Sequence, residues 1–274
     1  MRITIPHIKA ISIVGQKPTV GSEPLHVIAD DYCSYYVKNH KQLTPATFLI
    51  NEVMGHFLLR AWHINTPDIA FVTMPKETIT KDYGSLHKKN YYNRVAFGSK
   101  EVEGAFDMTE AYTIKGKVDF KKYYQPEIFA RIGLFDMWTE NEDRATDLKN
   151  IMLFEKEERY HFLAIDNAML FRTGAYNTLT HSDFTGIENN YCLQSGFFRI
   201  FKRFLKGLNK DWAKTEEKNF YLCIQNSKKY LEACYKILPV EWGFNNELEK
   251  LVTSFLFNDN RNKQVFTEYI RLCS

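Results

Sequence analysis

The sequence predicts an α+β fold in two lobes: an antiparallel sheet with one helix, then a mainly helical lobe that carries a β-hairpin. Three observations predict it. β-branched and aromatic runs broken by Gly/Pro-rich turns fill the first third, with a single amphipathic helix among them. Two apolar runs flank the polar turn Glu155-Lys156-Glu157-Glu158. From Phe197 onward apolar residues recur at three- and four-residue spacing. At 274 residues with 45% hydrophobic and 15% aromatic content, the chain buries a sizeable core, and the expected lobes are residues 1–104 and 105–274.

In order, Ala10–Val14 and Leu25–Ala29 read as paired strands joined by a turn rich in glycine and proline. Tyr35-Tyr36-Val37-Lys38 is a short strand ending in lysine. Thr44 is the expected N-cap and Pro45 the first-turn residue of a helix whose buried stripe is Phe48, Leu49, Val53, Phe57, Leu58 and Ala61. Asp68–Thr73 and Arg94–Phe97 read as further strands, with the crossing to the second lobe near Val102–Phe106. Pro126 opens a helix with Ile128, Phe129, Ile132 and Phe135 on one face. The hairpin strands are Ile151–Phe154 and Arg159–Ile165; the segment from Arg172 to Gln194 reads as a polar surface connection. Phe220–Leu238 is a long helical stripe, and Asn246 to Glu249 reads as a capping box before Leu251–Phe257.

The chemistry concentrates where these elements meet. Asn141-Glu142-Asp143-Arg144 is an acid-rich loop, and the hairpin returns Asn150 and Asp166 to one mouth. Phosphoryl transfer from a magnesium nucleotide needs one carboxylate to orient the attacking hydroxyl and two oxygen ligands for the metal. It also needs a lysine on a strand and a glutamate on the following helix, and Lys38 and Glu52 stand there. Taken singly, each residue has a plainer reading: Asp143 and Arg144 as a solvated loop pair, Asn150 and Asp166 as turn residues, Lys38 and Glu52 as exposed charges. Gly21 and Ser22 would let backbone amides approach a phosphate, but the loop matches neither a Walker loop nor the glycine-rich kinase pattern, and an ordinary hairpin turn is its plainer reading.

The order Gly21-Ser22-Glu23-Pro24-Leu25, Tyr36-Val37-Lys38, Asn51-Glu52, Pro67, Asn141-Glu142-Asp143-Arg144, Asn150-Ile151-Met152-Leu153 and Ile165-Asp166 resembles the HipA-like kinases, an atypical branch of the protein-kinase fold. The resemblance implies a two-lobed kinase-like fold and an ATP- and magnesium-dependent serine/threonine kinase. Lys38 would then contact nucleotide phosphates beside Gly21 and Ser22, Glu52 would position Lys38, Asp143 would be the catalytic acid, and Asn150 and Asp166 would bind Mg2+. The acceptor is a protein or small-molecule hydroxyl, so a small-molecule or lipid kinase and a nucleotide-binding pseudokinase stay open. Two departures stand out. Asn167-Ala168 replaces a frequent glycine two residues past the metal aspartate, and Leu148-Lys149 replaces a common Asn-Pro step. The antitoxin that partners full-length HipA toxins is not expected, because their extra N-terminal region is not seen.

Other classes find little support. A net charge of +3 is too mild for a dedicated nucleic-acid binder. The basic and aromatic clusters at Lys81–Arg94 and Arg199–Lys210 read as solvated charge beside packed rings. Five cysteines form no CxxC pair, and no signal peptide or membrane span is evident, so a cytoplasmic location with reduced thiols is expected. The histidines form no HExxH pattern; His56 and His63 read as packing or surface residues, and His181-Ser182-Asp183 cannot converge as a triad because its members are adjacent.

Overall fold

The computed structural model describes residues 3–17, 23–79, 83, 87–108, 120–141, 143–144, 148–173, 176, 179, 191–208 and 211–274. Five strands form a closed barrel: β1 (His7–Gln16), β2 (Leu25–Ala29), β3 (Ser34–Lys38), β4 (Ile69–Thr73) and β5 (Ala96–Lys100), in the order β1-β2-β3-β5-β4. Four of its pairings are antiparallel as expected, and the fifth is parallel: β1 meets β4 with Ile8 opposite Val72. Irregularities between Ala10 and Ser12 and between Ile13 and Gly15 bend the long first strand, which then reaches both neighbours. Closure removes the edges an open sheet would leave unpaired. Alternation is strict: Leu25, Val27, Ala29, Tyr35 and Val37 point into the barrel, so Tyr36 and Lys38 point out.

Helix α1 (Thr47–Ala61) starts two residues later than expected, with Ala46 rather than Thr44 at the N-cap position. No side chain caps it. The Ala46 amide donates instead to the Trp242 carbonyl at 2.8 Å, while the Thr44 hydroxyl accepts from Arg94, so distant chain does the work of a local cap. Its buried face is wider than the sequence stripe, because α1 lies between the barrel and the helical body. At its end Trp62 stacks on Trp138 with ring centroids 5.1 Å apart and donates its Nε1 to Ser227.

The body comprises α2 (Glu127–Thr139), α3 (Gly196–Leu208), α4 (Trp212–Tyr235), α5 (Asn246–Leu256) and α6 (Asp259–Cys273). A small sheet of β6 (Phe106–Asp107), β7 (Ile151–Lys156) and β8 (Arg159–Ala164) lies against it. The hairpin turn is two residues rather than four: Glu157 and Glu158 both take left-handed φ, 53° and 60°. The cap of α5 is Asn245, one residue before the expected box; its side-chain oxygen accepts from the Glu247 and Leu248 amides, both at 3.0 Å. Among the described residues, no helix is long and apolar enough to cross a membrane.

Candidate active site

Lys38 ends β3 on the face turned away from the barrel interior, towards α1. Its Nζ lies 2.5 Å from Glu52 Oε1 and 2.8 Å from Asp166 Oδ1, so one ammonium joins strand, helix and hairpin. Glu52 is buried in the second turn of α1 and accepts the Asn167 amide on its other oxygen at 2.9 Å. Burial works against the charged lysine, but Asp166 and Glu52 outweigh it and hold Lys38 above its ordinary pKa. Burial likewise opposes the charge on Asp166, where Lys38 prevails and keeps the carboxyl below its usual range. Glu52 is pushed up by burial further than Lys38 pulls it down.

The hairpin closes on itself next to this cluster. Ile165 donates its amide to the Asn150 carbonyl at 3.1 Å, which places the residue before β7 beside the residue before Asp166. Asn150 Nδ2 donates to Asp143 Oδ2 at 2.7 Å. The Asp143 carboxyl is raised, first by burial and then by the charge of Asp166, against the Asn150 hydrogen bond and Lys38. Asp143, Asp166 and Lys38 line one cavity of about 290 Å³. Lys38, Glu52, Asp143, Asn150 and Asp166 are therefore brought together, whereas Gly21 and Ser22 lie outside the described residues. The donor set suits a hard divalent cation: Asn150 turns its nitrogen to Asp143, which leaves the amide oxygen to pair with Asp166, and two protein oxygens are a common share of Mg2+ coordination beside phosphates and water.

Sequence reasoning missed what holds this arrangement. Arg144 is not a solvated partner of Asp143. It is fully buried, with its Nε 2.9 Å and 3.1 Å from the two oxygens of Asp136 on α2. Its Nη1 donates to the Ile165 carbonyl at 2.6 Å and its Nη2 to Asn167 Oδ1 at 3.0 Å. One guanidinium thus ties the acid loop to the end of the hairpin. Burial pushes Asp136 up to about 6, with Arg144 opposing. Asn51, beside Glu52, donates to the carbonyls of Ala168 and Leu170 at 2.8 Å and 3.0 Å. The signal for Arg144 was Asp136 itself, a carboxylate inside a helix otherwise buried all round, which demands a partner.

The Ala168 departure has a local answer. The left-handed residue of the turn is Asp166, at φ 55°, and Ala168 is not among the positive-φ positions. Aspartate tolerates this region better than most residues, so the turn does not call for glycine at 168.

A barrel lysine paired to a helix glutamate, beside an acid loop and a hairpin whose ends carry an amide and an aspartate, is the arrangement of a protein-kinase-like site. Residues 10–267 match the family model of HipA-like kinases, and the chain belongs to that family. No curated protein matches the sequence. Among solved structures, the chain is similar to the Helicobacter pylori proinflammatory kinase CtkA at 12% identity, covering 97% of this chain and 99% of that one with a TM-score of 0.48. It is also similar to a Golgi casein kinase solved with Mn and ADP, at 12% identity over 98% of this chain and 74% of that one, with a TM-score of 0.43. The family assignment rests on the family match.

Proposed function

We propose that the protein is an ATP- and magnesium-dependent kinase that phosphorylates a serine or threonine hydroxyl on a protein, with residues 1–104 as the nucleotide-binding lobe and 105–274 carrying the catalytic and metal-binding loops. The observation that carries the reading is Lys38 bridging Glu52 and Asp166 on a cavity that Asp143 also lines. Bound magnesium-ATP supplies the γ-phosphoryl group and neutralises its charge. Lys38 would take the nucleotide phosphates with Glu52 holding it in line, and Asn150 and Asp166 would take the metal; Gly21 and Ser22, which the family resemblance adds for the phosphates, lie outside the described residues. Asp143 aligns the acceptor hydroxyl and receives its proton, a task suited to a carboxyl whose pKa is raised. The pseudokinase reading has two motives, Ala168 and the atypical phosphate loop; the first weakens because the left-handed residue of the turn is Asp166, and the loop's Gly21 and Ser22 lie outside the described residues.

Two variants test it. Asp166→Ala should lose most magnesium-ATP stabilisation, which at about a hundred times the dissociation constant amounts to roughly 2.7 kcal/mol. An unchanged thermal shift would remove Asp166 from the metal site. Asp143→Asn should bind nucleotide as the parent does yet turn over on the order of a hundred to ten thousand-fold more slowly in a single-turnover assay. Equal rates would sink the role of Asp143, and transfer by neither protein across broad acceptor pools would favour the pseudokinase.

A further inference from the structure

The cavity that holds the reacting carboxylates does not end with them. Its remaining wall includes Leu43, Phe48, Leu49 and Met169, from the segment before α1, the first turns of α1, and the chain after Asp166. Leu43 and Phe48 are 44% and 37% exposed, among the few large apolar side chains that the described residues turn to solvent. Lys38 and Asp166 are the more enclosed end, with side chains 13% and 28% exposed. The cavity therefore grades from buried charge to a half-open apolar lip, and Lys41 is the cation beside that lip. Asn39 and His40 line the cavity too, but the lip that Leu43, Phe48 and Met169 form is methyl, thioether and ring surface, which suits an apolar side chain better than a sugar.

We propose that the acceptor is a peptide segment whose Ser or Thr lies next to a large apolar residue, with Leu43, Phe48 and Met169 seating the apolar side chain and Lys41 favouring an acidic residue beyond it. This rests on the kinase reading above. In the transfer, the hydroxyl oxygen forms a bond to the γ-phosphorus, the bond from that phosphorus to the β–γ bridging oxygen breaks, ADP leaves with the electron pair, and the hydroxyl proton passes to the Asp143 carboxylate. The apolar contact takes no part in these bonds. It fixes which hydroxyl reaches Asp143.

The test is a positional-scanning peptide array with labelled ATP, followed by KM and kcat for the best peptide. The parent should prefer Leu, Ile, Phe or Met beside the acceptor. Phe48→Ala and Leu43→Ser should raise the KM for that peptide about tenfold or more with kcat little moved, as loss of an apolar pocket contact does. Leu222→Ser on α4, an equally exposed apolar site, should leave KM where it was. No apolar preference on the array, an unmoved KM in both lip variants, or turnover of small hydroxyl compounds without any peptide would overturn the proposal. Magnesium-ATP thermal shifts on the parent separate the two levels: no shift and no transfer means the kinase reading itself has failed. A shift without transfer leaves that reading in place, and fluorescence anisotropy then compares an apolar-flanked Ser peptide with its Ala-flanked counterpart. Equal affinity refutes the apolar seat.

Discussion

Two ion clusters stand a few residues apart in this molecule and are built in opposite ways. Arg144 and Asp136 are both fully buried, and the guanidinium donates to a carboxylate, two carbonyls and an amide oxygen. Lys38, Glu52 and Asp166 line or border a cavity, and one ammonium is shared between two carboxylates. The first arrangement leaves the charges nothing to exchange with, so it fixes the acid loop to the hairpin. The second lines a cavity, so its charges stay open to exchange partners. The difference teaches how one short stretch, Asp143-Arg144, serves two surroundings: Asp143 lines the cavity while its neighbour Arg144 is fully buried and ties the loop to the hairpin.

The sharpest way to break the comparison is to remove each cation in turn. Arg144→Met should destabilise the fold by about 3 to 5 kcal/mol, because it strands a buried carboxylate at Asp136. Lys38→Met should cost visibly less, since Asp166 is partly solvated and Glu52 keeps the Asn167 amide. Denaturant melts of both variants read the difference. Equal losses would mean that the cleft cluster is as structural as the buried one.

His56 sharpens it from another side, being a buried ionisable group of α1 with no counter-ion. Burial pushes it down to about 4, with Arg60 adding to the shift and the Pro67 carbonyl opposing it. Its Nδ1 has no hydrogen-bond partner among the described residues. A histidine whose folded pKa lies below its unfolded value near 6.5 gives stability that is present above pH ~6.5 and lost as pH falls towards about 4. The loss is on the order of 3 kcal/mol. Melts of the parent and His56→Gln at pH 7 and pH 4.5 should show the parent losing more; parallel losses would assign the acid sensitivity elsewhere.

The site was legible because its parts are local. Lys38 closes a strand, Glu52 sits on the next helix, and Asn150 and Asp166 bracket a hairpin, so short-range patterns already imply that they converge. Elements that depend on distant partners were not legible. The β1–β4 pairing joins residues far apart in sequence, and periodicity gives its strands but not its partner or direction. The start of α1 is set by the Trp242 carbonyl and by Arg94 on Thr44, neither of which a local cap signal contains. The burial of Arg144 follows only once α2 has delivered Asp136 beneath the loop. The hairpin turn was misjudged for a different reason: Glu157 and Glu158 carry none of the Asn or Gly usual at left-handed positions, so sequence favoured a longer turn.

The smallest expected effect lies at the seam between the two clusters. Gly55, one turn after Glu52 on α1, faces Asn167, and a Cβ added there would lie 2.3 Å from the Asn167 Cβ. That distance is too short for any side chain, so Gly55→Ala must push Asn167 away. Asn167 touches both clusters, donating its backbone amide to Glu52 and accepting from Arg144 on its Oδ1. Overpacking of this kind costs about 1 to 3 kcal/mol, partly offset because alanine favours the helix over glycine by about 1 kcal/mol. The net loss of stability should therefore be about 1 kcal/mol, whereas the magnesium-ATP thermal shift should fall by more than that loss implies, since the Glu52–Lys38–Asp166 bridge is what moves. If stability drops and the nucleotide response keeps pace with the parent, Asn167 serves the buried latch alone and the two clusters are mechanically independent.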